Sequence, residues 1–474
     1  MRKILIFLIF IIAIGFSGCM LGPNFQKSEY TGPEQFRFAE TPGDSIINLR
    51  WWELFDDPIL DTLIKTAITE NKNVLIAASR IEAARANIGF TKADQYPALR
   101  FGVGASASGL SGNNSSNFYA YPELGWEIGF WGKYRRMNEA AQASFLASEY
   151  GKRTIQLSLV SAVASSYFVI LTSYDQLKIS TNTLASRDSG LYLMEGKYEG
   201  GLISLIDLNQ AKIQRDLAAT AVPTYKRIIA LNENTLSVLL GKMPHDIELG
   251  IPFHKQKYEL DIPIGIPSEI LERRPDIKQA EALYMAQNAQ IGVSEAMRWP
   301  SLNLTSTLGL ASPDLISLSA YGLTWSVGSS LFGPLFQFGK NKRRVEMSVA
   351  NAKTSLLQYE QTSIQAFREV EDALISIETY REELVTQESR TETAINSETL
   401  AHVRYDEGST TYLEVLEQQR QSFSAKLDLL SNRFNLLNSY ILLYKALGGG
   451  WLSPEEEQAF LEEQQRKAEM TIEE

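Results

Sequence analysis

The sequence predicts a mainly α-helical protein with a membrane β part, built from a duplicated unit of two strands followed by one long helix. Short segments recur in the same order about 205 residues apart, and each copy continues with alternating apolar and polar residues and then a long stretch without proline. The recurring pairs are Ala86–Phe90 with Ala289–Val293, Tyr96–Leu99 with Trp299–Leu302, Phe130–Lys133 with Gln337–Lys340, and Tyr198–Gly201 with Tyr405–Gly408. Because the order is kept, the pattern indicates a duplicated structural unit.

The predicted strands follow from apolar residues at every second position. The apolar positions are Leu99, Phe101, Val103, Ala105 and Ala107, then Phe118, Ala120, Leu124, Trp126 and Ile128, and in the second copy Leu302, Leu304, Leu308 and Leu310, then Leu323, Trp325, Val327 and Leu331. A period of two gives each strand one apolar face and one polar face.

The strands have the length of tilted membrane strands, roughly 10 residues. A soluble sheet with one buried face is the alternative. The membrane interpretation is favoured because no other apolar segment is free to cover such a sheet, and because aromatic residues gather at the strand ends. These aromatic residues are Tyr96, Tyr119, Tyr121, Trp126, Trp131, Trp299, Tyr321 and Phe332. Four strands cannot close a membrane barrel, so the chain must share its barrel with further copies; three copies would give twelve strands.

The predicted helices are too long for a globular domain. The stretches from Lys133 to about Tyr198 and from Lys340 to about Glu407 lack proline, and each would form a helix on the order of 100 Å long. In the second stretch a heptad seam runs through Val345, Val349, Ala352, Leu356, Tyr359, Ser363, Ala366, Val370, Ala373, Ile377, Tyr380 and Leu384. A free dimeric coiled coil is the alternative, which the attached strands disfavour.

The first residues are typical of a secretory signal. Arg2 and Lys3 precede the apolar run Ile4–Ile14, and the segment ends at Cys19, the only cysteine of the chain. The segment resembles a bacterial lipoprotein signal, which implies that Cys19 is the lipidated first residue of the mature protein. The residue after Cys19 is Met20 and not an aspartate, which in such lipoproteins favours sorting to the outer membrane over retention at the inner membrane. The alternative is an ordinary cleaved signal with an incidental cysteine.

Composition excludes several other classes. The net charge of −11 over 474 residues argues against nucleic acid binding. The three histidines, His245, His254 and His402, have no metal-ligand spacing. No further run of 18 apolar residues is present, so we expect no membrane-spanning helix. Neither catalytic residues nor a cofactor is predicted. An envelope-stiffening lipoprotein is a remaining alternative, which an open conductance would exclude.

The repeats divide the chain into six predicted segments. Each repeat holds a helix, a strand pair (97–130 or 300–332), a long helix (133–199 or 340–407) and a return helix (202–240 or 410–447). The segments are a signal peptide at 1–18, a lipid-anchored N-terminal segment at 19–57, the first repeat at 58–240, a linker at 241–273, the second repeat at 274–447, and a C-terminal segment with an acidic tail at 448–474. The segments 19–57, 241–273 and 448–474, which lie outside the repeats and the signal peptide, would form an equatorial belt around the middle of the helices.

Five stretches in this order resemble the TolC-type outer-membrane efflux duct family, in the lipoprotein branch of the resistance-nodulation-division efflux systems. They are Cys19–Phe25, Trp51–Pro58, Leu271–Ile277, Ala366–Leu374 and Leu443–Trp451. The resemblance implies a homotrimer, with a twelve-stranded outer-membrane β-barrel continuous with a periplasmic α-helical barrel. It also implies a periplasmic adaptor protein and an inner-membrane pump as partners, in a Gram-negative bacterium.

The implied function is the exit duct of a tripartite efflux pump that passes small toxic compounds to the outside. The alternative is an exit duct for peptide or protein secretion by an ATP-driven exporter.

The resemblance also assigns residues to the periplasmic tip of the duct. The turns at Gly200, Gly201 and Gly408 would dock the adaptor. Glu414 and Glu417 would form an acidic constriction, in which crowding raises the pKa of neighbouring carboxyls; two solvated helix glutamates are the alternative.

Closure of the tip departs from the pattern of some relatives. Some relatives lock the tip with an arginine two residues after the glycine, where this chain has Thr410. A hydrogen bond between Tyr405 and Asp207 is the remaining candidate lock.

Overall fold

The computed structural model of the protein describes residues 20–27, 36–38, 52, 55–110, 113–257, 267–316, 318 and 323–449. Cys19, Tyr321 and the acidic tail lie outside the described residues.

Helices and strands follow the same order in both halves of the chain. The first half contains α1 (Pro58–Glu70), α2 (Lys72–Ala93), β1 (Ala98–Leu110), β2 (Asn113–Ile128), α3 (Lys133–Glu199) and α4 (Leu205–Leu239). A short 3-10 helix, Phe253–Lys255, and α5 (Pro267–Arg273) connect it to the second half. The second half contains α6 (Pro275–Ala296), β3 (Ser301–Ser312), β4 (Leu323–Phe332), α7 (Lys340–Asp406) and α8 (Tyr412–Ala446).

The duplication extends to element length. The two long helices, α3 and α7, have 67 residues each, and the two return helices, α4 and α8, have 35 residues each. The chain divides into two compact units, one with the strands, α6 and most of α2, the other with α1, α4, α5 and α8. Residues 133–151 and 340–362 of the long helices belong to the first unit, and the remainder to the second.

The helix before the first strand pair differs from the prediction of one continuous helix. Asn71 leaves the helical conformation, with ψ 127°, and separates α1 from α2. Its Oδ1 accepts hydrogen bonds from the backbone N–H groups of Asn73 (2.9 Å) and Val74 (3.3 Å), and its Nδ2 donates to the carbonyl of Leu239 (2.8 Å). Asparagine competes well for backbone groups in this way, so the side chain caps a new helix start.

The strands form one antiparallel sheet in the order β1-β2-β3-β4. The central pair, β2 with β3, joins the two repeats, for example through Trp126 opposite Leu304. In the described chain β1 and β4 are each paired on one side only.

The apolar face of this sheet is exposed. Phe101 and Val103 of β1 are 72% and 70% exposed, and Trp325 and Val327 of β4 are 71% and 74% exposed. A soluble sheet would bury this face, so the exposure disfavours the soluble alternative.

The middle of the predicted heptad seam on α7 is buried. The buried positions are Ala352, Tyr359, Ser363, Ala366, Val370, Ala373 and Ile377, whereas Val349 near the start is about half exposed. Alternation of small and large residues lets neighbouring helices approach closely.

One described helix, α3, contains an 18-residue window that could cross a membrane by length and composition. The sequence predicted no spanning helix here, because polar residues such as Ser161 and Ser165 interrupt the apolar run. More than half of this window is buried within the protein, and Val163, Tyr167 and Phe168 are fully buried. Such burial is typical of a core helix.

The first described residues pack against the first unit as an extended segment. The guanidinium of Arg136, which is 1% exposed, donates to the carbonyl oxygens of Leu21 and Gly22 (both 3.1 Å) and to Oδ1 of Asn24 (3.0 Å). A Cβ on Gly292 of α6 would lie 2.7 Å from the carbonyl oxygen of Leu21. This glycine therefore permits the close approach of the segment.

We expect Gly292→Ala to detach this N-terminal segment. The added methyl group would overlap the carbonyl of Leu21, whereas a Cβ on Gly89, the equivalent glycine of the first repeat, meets nothing within 4 Å. Gly89→Ala should instead stabilise α2 by about 0.5–1 kcal/mol through helix propensity. Hydrogen exchange of residues 20–27 should accelerate in the first variant only; equal exchange in both would contradict the role of Gly292.

Candidate functional site

Two glycine turns end the long helices in the same conformation. Gly201 after α3 has φ +71° and Gly408 after α7 has φ +73°, a region that L side chains rarely adopt. Leu202 N–H donates to the carbonyl of Lys197 (2.9 Å), and Ser409 N–H donates to that of Arg404 (2.8 Å). Each bond reaches back five residues, as in a Schellman motif, so the two turns reverse the chain identically. Gly200 lies one residue before Gly201.

The return helix α4 begins with a capping box. Ser204 Oγ accepts from the backbone N–H of Asp207 (3.3 Å), and Asp207 Oδ2 accepts from the backbone N–H of Ser204 (3.1 Å) and from its hydroxyl (2.7 Å). These bonds satisfy free N–H groups of the first turn. Asp207 thus stabilises its own helix, and no bond to Tyr405 is found for it among the described residues.

Side chains from both repeats meet beside the two turns. Met194 of α3, Leu208 and Ala211 of α4, and Leu416 of α8 form a buried cluster. Burial of these side chains fixes the turns of the first repeat next to the start of α8, and each fully buried Leu or Met contributes roughly 1.5–3 kcal/mol.

A polar contact joins the two long helices at this end. Lys197 Nζ donates to the Tyr405 hydroxyl at 2.5 Å and lies 4.7 Å from the centre of its ring. The ring of Tyr405 also lies 5.1 Å from that of Tyr412. The Tyr405 hydroxyl thus has a partner in Lys197, which the sequence analysis did not identify.

Glu414 connects α7 to α8 across the second turn. Its Oε1 accepts from Arg404 Nη1 at 2.6 Å, and its Oε2 accepts from the hydroxyl of Thr410. Arg404, which lies before the glycine, thus forms an ion pair within the second repeat. Both side chains are partly exposed, so this ion pair contributes about 0.2–1 kcal/mol.

Glu417 has a bidentate partner one turn further along α8. Arg420 donates to Oε1 (2.6 Å) and Oε2 (3.0 Å), and Gln421 donates to Oε1 (2.8 Å). The hydrogen bonds from Arg420, then that from Gln421, lower the pKa of the Glu417 carboxyl from its ordinary value. This direction is opposite to the one predicted from crowded carboxylates, because within one chain a cation is the nearest charged neighbour.

A buried arginine lies further from the turns and was also missed. Arg187 of α3 is 5% exposed, and its Nη1 donates to the carbonyl of Gln214 on α4 at 2.5 Å. Its guanidinium lies 5.1 Å from the ring centre of Phe423 on α8. Burial lowers the pKa of Arg187, and the charge of Glu398 acts in the opposite direction. Arg187 thus joins three helices, α3, α4 and α8.

The described side chains at this end form ion pairs and hydrogen bonds. In the part of the chain that the structure describes, no group of three or more His, Cys, Asp or Glu residues could hold a metal ion. His402 is hydrogen-bonded to Gln419, and His254 to Asp175.

Comparison with known proteins decides the family. The family model described as "Outer membrane efflux protein" matches residues 63–242 and 266–449, one segment in each repeat. The chain belongs to the outer membrane efflux protein family. Similar members include the toluene efflux pump outer membrane protein TtgC of Pseudomonas putida, 32% identical over 451 residues that cover 92% of this chain and 93% of TtgC. The cation efflux system protein CusC of Escherichia coli is 31% identical, and the match covers 93% of this chain and 98% of CusC.

Solved structures of outer-membrane channels have the same fold as this efflux protein. The crystal structure of the Campylobacter jejuni CmeC outer membrane channel matches with a TM-score of 0.86 at 25% identity, covering 94% of this chain and 98% of CmeC. The protein is thus an outer-membrane component of an efflux system, as the sequence resemblance implied.

Proposed function

We propose that three copies of this efflux protein form one channel, whose twelve strands close a barrel in the outer membrane and whose helices extend it into the periplasm. The observation that carries the proposal is the sheet, with an exposed apolar face and two edges that each lack one partner. In lipid an apolar face is favourable, but an open edge leaves backbone N–H and C=O groups without partners. Pairing of β1 with β4 of another copy satisfies both requirements.

Disulfide capture tests this pairing. In one chain β1 and β4 are separated by two strands, so their Cα atoms lie about 14 Å apart, beyond the reach of a disulfide. A chain carrying Val103→Cys and Val327→Cys, both on the exposed apolar face, can therefore crosslink only between copies. The second cysteine is also moved to Trp325 and to Ser329, to scan the register between copies.

Oxidation should give covalent dimers and trimers for at least one register, with each single-cysteine chain as control. The same preparation should conduct ions across a planar bilayer. Monomers at every register, from protein that inserts into bilayers, would refute the shared barrel.

The cargo we propose is small toxic compounds, delivered by an inner-membrane pump and a periplasmic adaptor protein. The support is that the similar proteins bear the names of toluene, antibiotic, solvent and cation efflux systems. The channel itself needs no catalytic residue or cofactor for this role.

At the periplasmic tip, we assign the turns at Gly200, Gly201 and Gly408 to adaptor docking. Glu414 and Glu417 of three copies would narrow the passage. The tip is held closed in part by the contact between Lys197 and Tyr405 described above, with Asp207 and Thr410 fixing the starts of the return helices.

The remaining segments keep the roles implied by the sequence. Cys19 would carry the lipid anchor, with the signal peptide ending at residue 18. The segments 19–57, 241–273 and 448–474 would surround the helices as an equatorial belt.

A further inference from the structure

Arg187 is a buried cation whose loss of water is poorly compensated by the described residues. Its side chain is 5% exposed within a single chain, so its burial does not depend on neighbouring copies. None of the ion pairs among the described residues includes it, and its Nε–H has no hydrogen-bond partner there. A buried charge is stabilised only where ion pairs and hydrogen bonds replace the water that it loses. Part of the cost of burying Arg187 therefore remains.

The hydrogen bonds that Arg187 forms use carbonyl groups that already have partners. Its Nη1 donates to the carbonyl of Gln214 on α4 at 2.5 Å, and its Nη2 donates to that of Gln419 on α8 at 3.4 Å. Both carbonyls lie inside helices, where each accepts the N–H group four residues further on. The ring of Phe423, 5.1 Å from the guanidinium, adds a cation–π contact. These partners are neutral, so none of them balances the charge.

A carboxylate close enough to act on Arg187 belongs to Glu398 of α7, but it pairs with another cation. Its Oε2 lies 3.6 Å from Nζ of Lys426 on α8, and both side chains are partly exposed. Burial lowers the pKa of Arg187, and the charge of Glu398 offsets only part of this effect. This direction is expected of a guanidinium that has lost water without gaining an ion pair.

Arg187 lies where a movement of α8 would bring it into contact with water. It precedes the turn at Gly200 by 13 residues, about 20 Å along the helix. Its partner Gln419 follows Glu417 on α8 by two residues, and the proposed function places Glu417 at the narrow part of the passage. Widening of the passage requires the start of α8 to move, and this movement separates Gln419 from Arg187. Water can then solvate the guanidinium.

We propose that Arg187 keeps the closed tip ready to open, because its guanidinium is poorly compensated in the observed arrangement and is hydrated when α8 moves. The inference rests on the proposed function, in which the start of α8 narrows the passage. The buried charge raises the free energy of the closed state relative to the open state, so docking of the adaptor protein needs less binding free energy to open the passage. The apolar cluster around Met194 and Leu416 acts in the opposite direction and favours closure.

Replacement of Arg187 by Met tests this role, because it removes the charge and keeps a long side chain against Phe423. We expect the fraction of time that single channels are open in planar bilayers to fall about tenfold, since apolar replacement of a poorly compensated buried charge stabilises the packed state. Arg187→Lys keeps a buried charge and should stay within about threefold of wild type. Hydrogen exchange of residues 412–423, at the start of α8, should slow in the Met variant only.

Arg215→Met is the matched control. Arg215 follows Gln214 on α4, but its guanidinium is partly exposed and pairs with Asp188 at 2.8 Å. Its replacement should leave the open time and the hydrogen exchange of residues 412–423 within about twofold of wild type. If Arg187→Met does not fold, the neutral and shorter Arg187→Gln should change both measurements in the same direction, by about threefold.

A contact that only stabilises the packing predicts the opposite sign. If Arg187 served merely to hold α3 and α8 together, Arg187→Met would lengthen the open time and accelerate the exchange of residues 412–423. That result, an unchanged open time, or an equal effect of Arg215→Met, in channels that conduct, would overturn the role of Arg187 and leave the proposed channel intact. Slower exchange in Arg187→Met from protein that never conducts would instead refute the channel and leave the effect of Arg187 on α8.

Discussion

Replacement of Asp57 by Asn should lower the free energy of unfolding by about 2–4 kcal/mol, because it removes the charge of a buried carboxylate that accepts several hydrogen bonds and turns one of its two acceptor oxygens into a donor group. Asp57 is 1% exposed. Its carboxylate accepts hydrogen bonds from Ile59 N (3.0 Å), Leu60 N (3.4 Å), the Tyr167 hydroxyl (2.9 Å), Ile251 N (3.2 Å) and Gln256 Nε2 (3.1 Å). One side chain thus ties the start of α1 to α3 and to the segment 251–256.

The physical reason for the large effect is that every partner of Asp57 is a donor. An asparagine in its place would direct an NH₂ group at one set of donors, and a buried donor without an acceptor costs about 1–3 kcal/mol. Gly250 approaches so closely that a Cβ there would lie 2.2 Å from Oδ1 of Asp57, so the side chain at position 57 has little room to move.

Asp56→Asn provides the matched control. Asp56 is the preceding residue, and its exposed carboxylate pairs with Lys257 at 2.6 Å. Its φ of 52° is tolerated by asparagine, so the substitution should change stability by less than about 0.5 kcal/mol. Urea unfolding in detergent, followed by circular dichroism, compares the two. Equal effects in the two variants would contradict the role given to Asp57.

The outline of this fold could be predicted because its signals are local. Alternation at Leu99, Phe101 and Val103 specifies an extended strand with one apolar face, whatever else surrounds it. The ends of the long helices are marked by Gly201 and Gly408, because few other residues adopt the left-handed conformation of a Schellman turn. The resemblance to the efflux duct family, which the comparisons confirm, supplied the function.

The break between α1 and α2 could not be predicted, because its cause is distant in sequence. Asn71 is acceptable within a helix and becomes a cap here through its bond to Leu239, 168 residues away. Burial of Arg187 could not be predicted for the same reason, because the carbonyl that accepts its hydrogen bond belongs to Gln214, on another helix. Local pattern gives no sign of such partners.

At the tip, sequence placed Glu414 and Glu417 on one helical face but did not reveal their partners. Arg420, three residues after Glu417, was the available signal, because residues at this spacing are neighbours on a helix. Arg404, ten residues before Glu414, becomes its neighbour only through the turn at Gly408.

These ion pairs determine how replacement of Glu414 and Glu417 by Gln should change the ion selectivity of the channel. In each chain the two carboxylates face two guanidinium groups, so Glu414→Gln with Glu417→Gln leaves Arg404 and Arg420 without carboxylate partners. We expect the permeability ratio of cations to anions, measured from reversal potentials in planar bilayers, to fall several-fold toward anions. The reciprocal variant, Arg404→Gln with Arg420→Gln, should raise this ratio, and the fourfold variant should return close to wild type.

The pH dependence supplies a second readout. Because Arg420 lowers the pKa of Glu417 below its ordinary value of about 4.3, the carboxylate stays charged as the pH falls from 7 to about 5, and selectivity should not change over that range. It should shift toward anions only at lower pH, as the carboxyl takes up a proton and Arg420 loses its partner. If instead crowding of the carboxylates of three copies raised their pKa, selectivity would already change above pH 5. The fourfold variant would then also differ from wild type. Unchanged selectivity in all three variants would mean that these side chains do not line the passage.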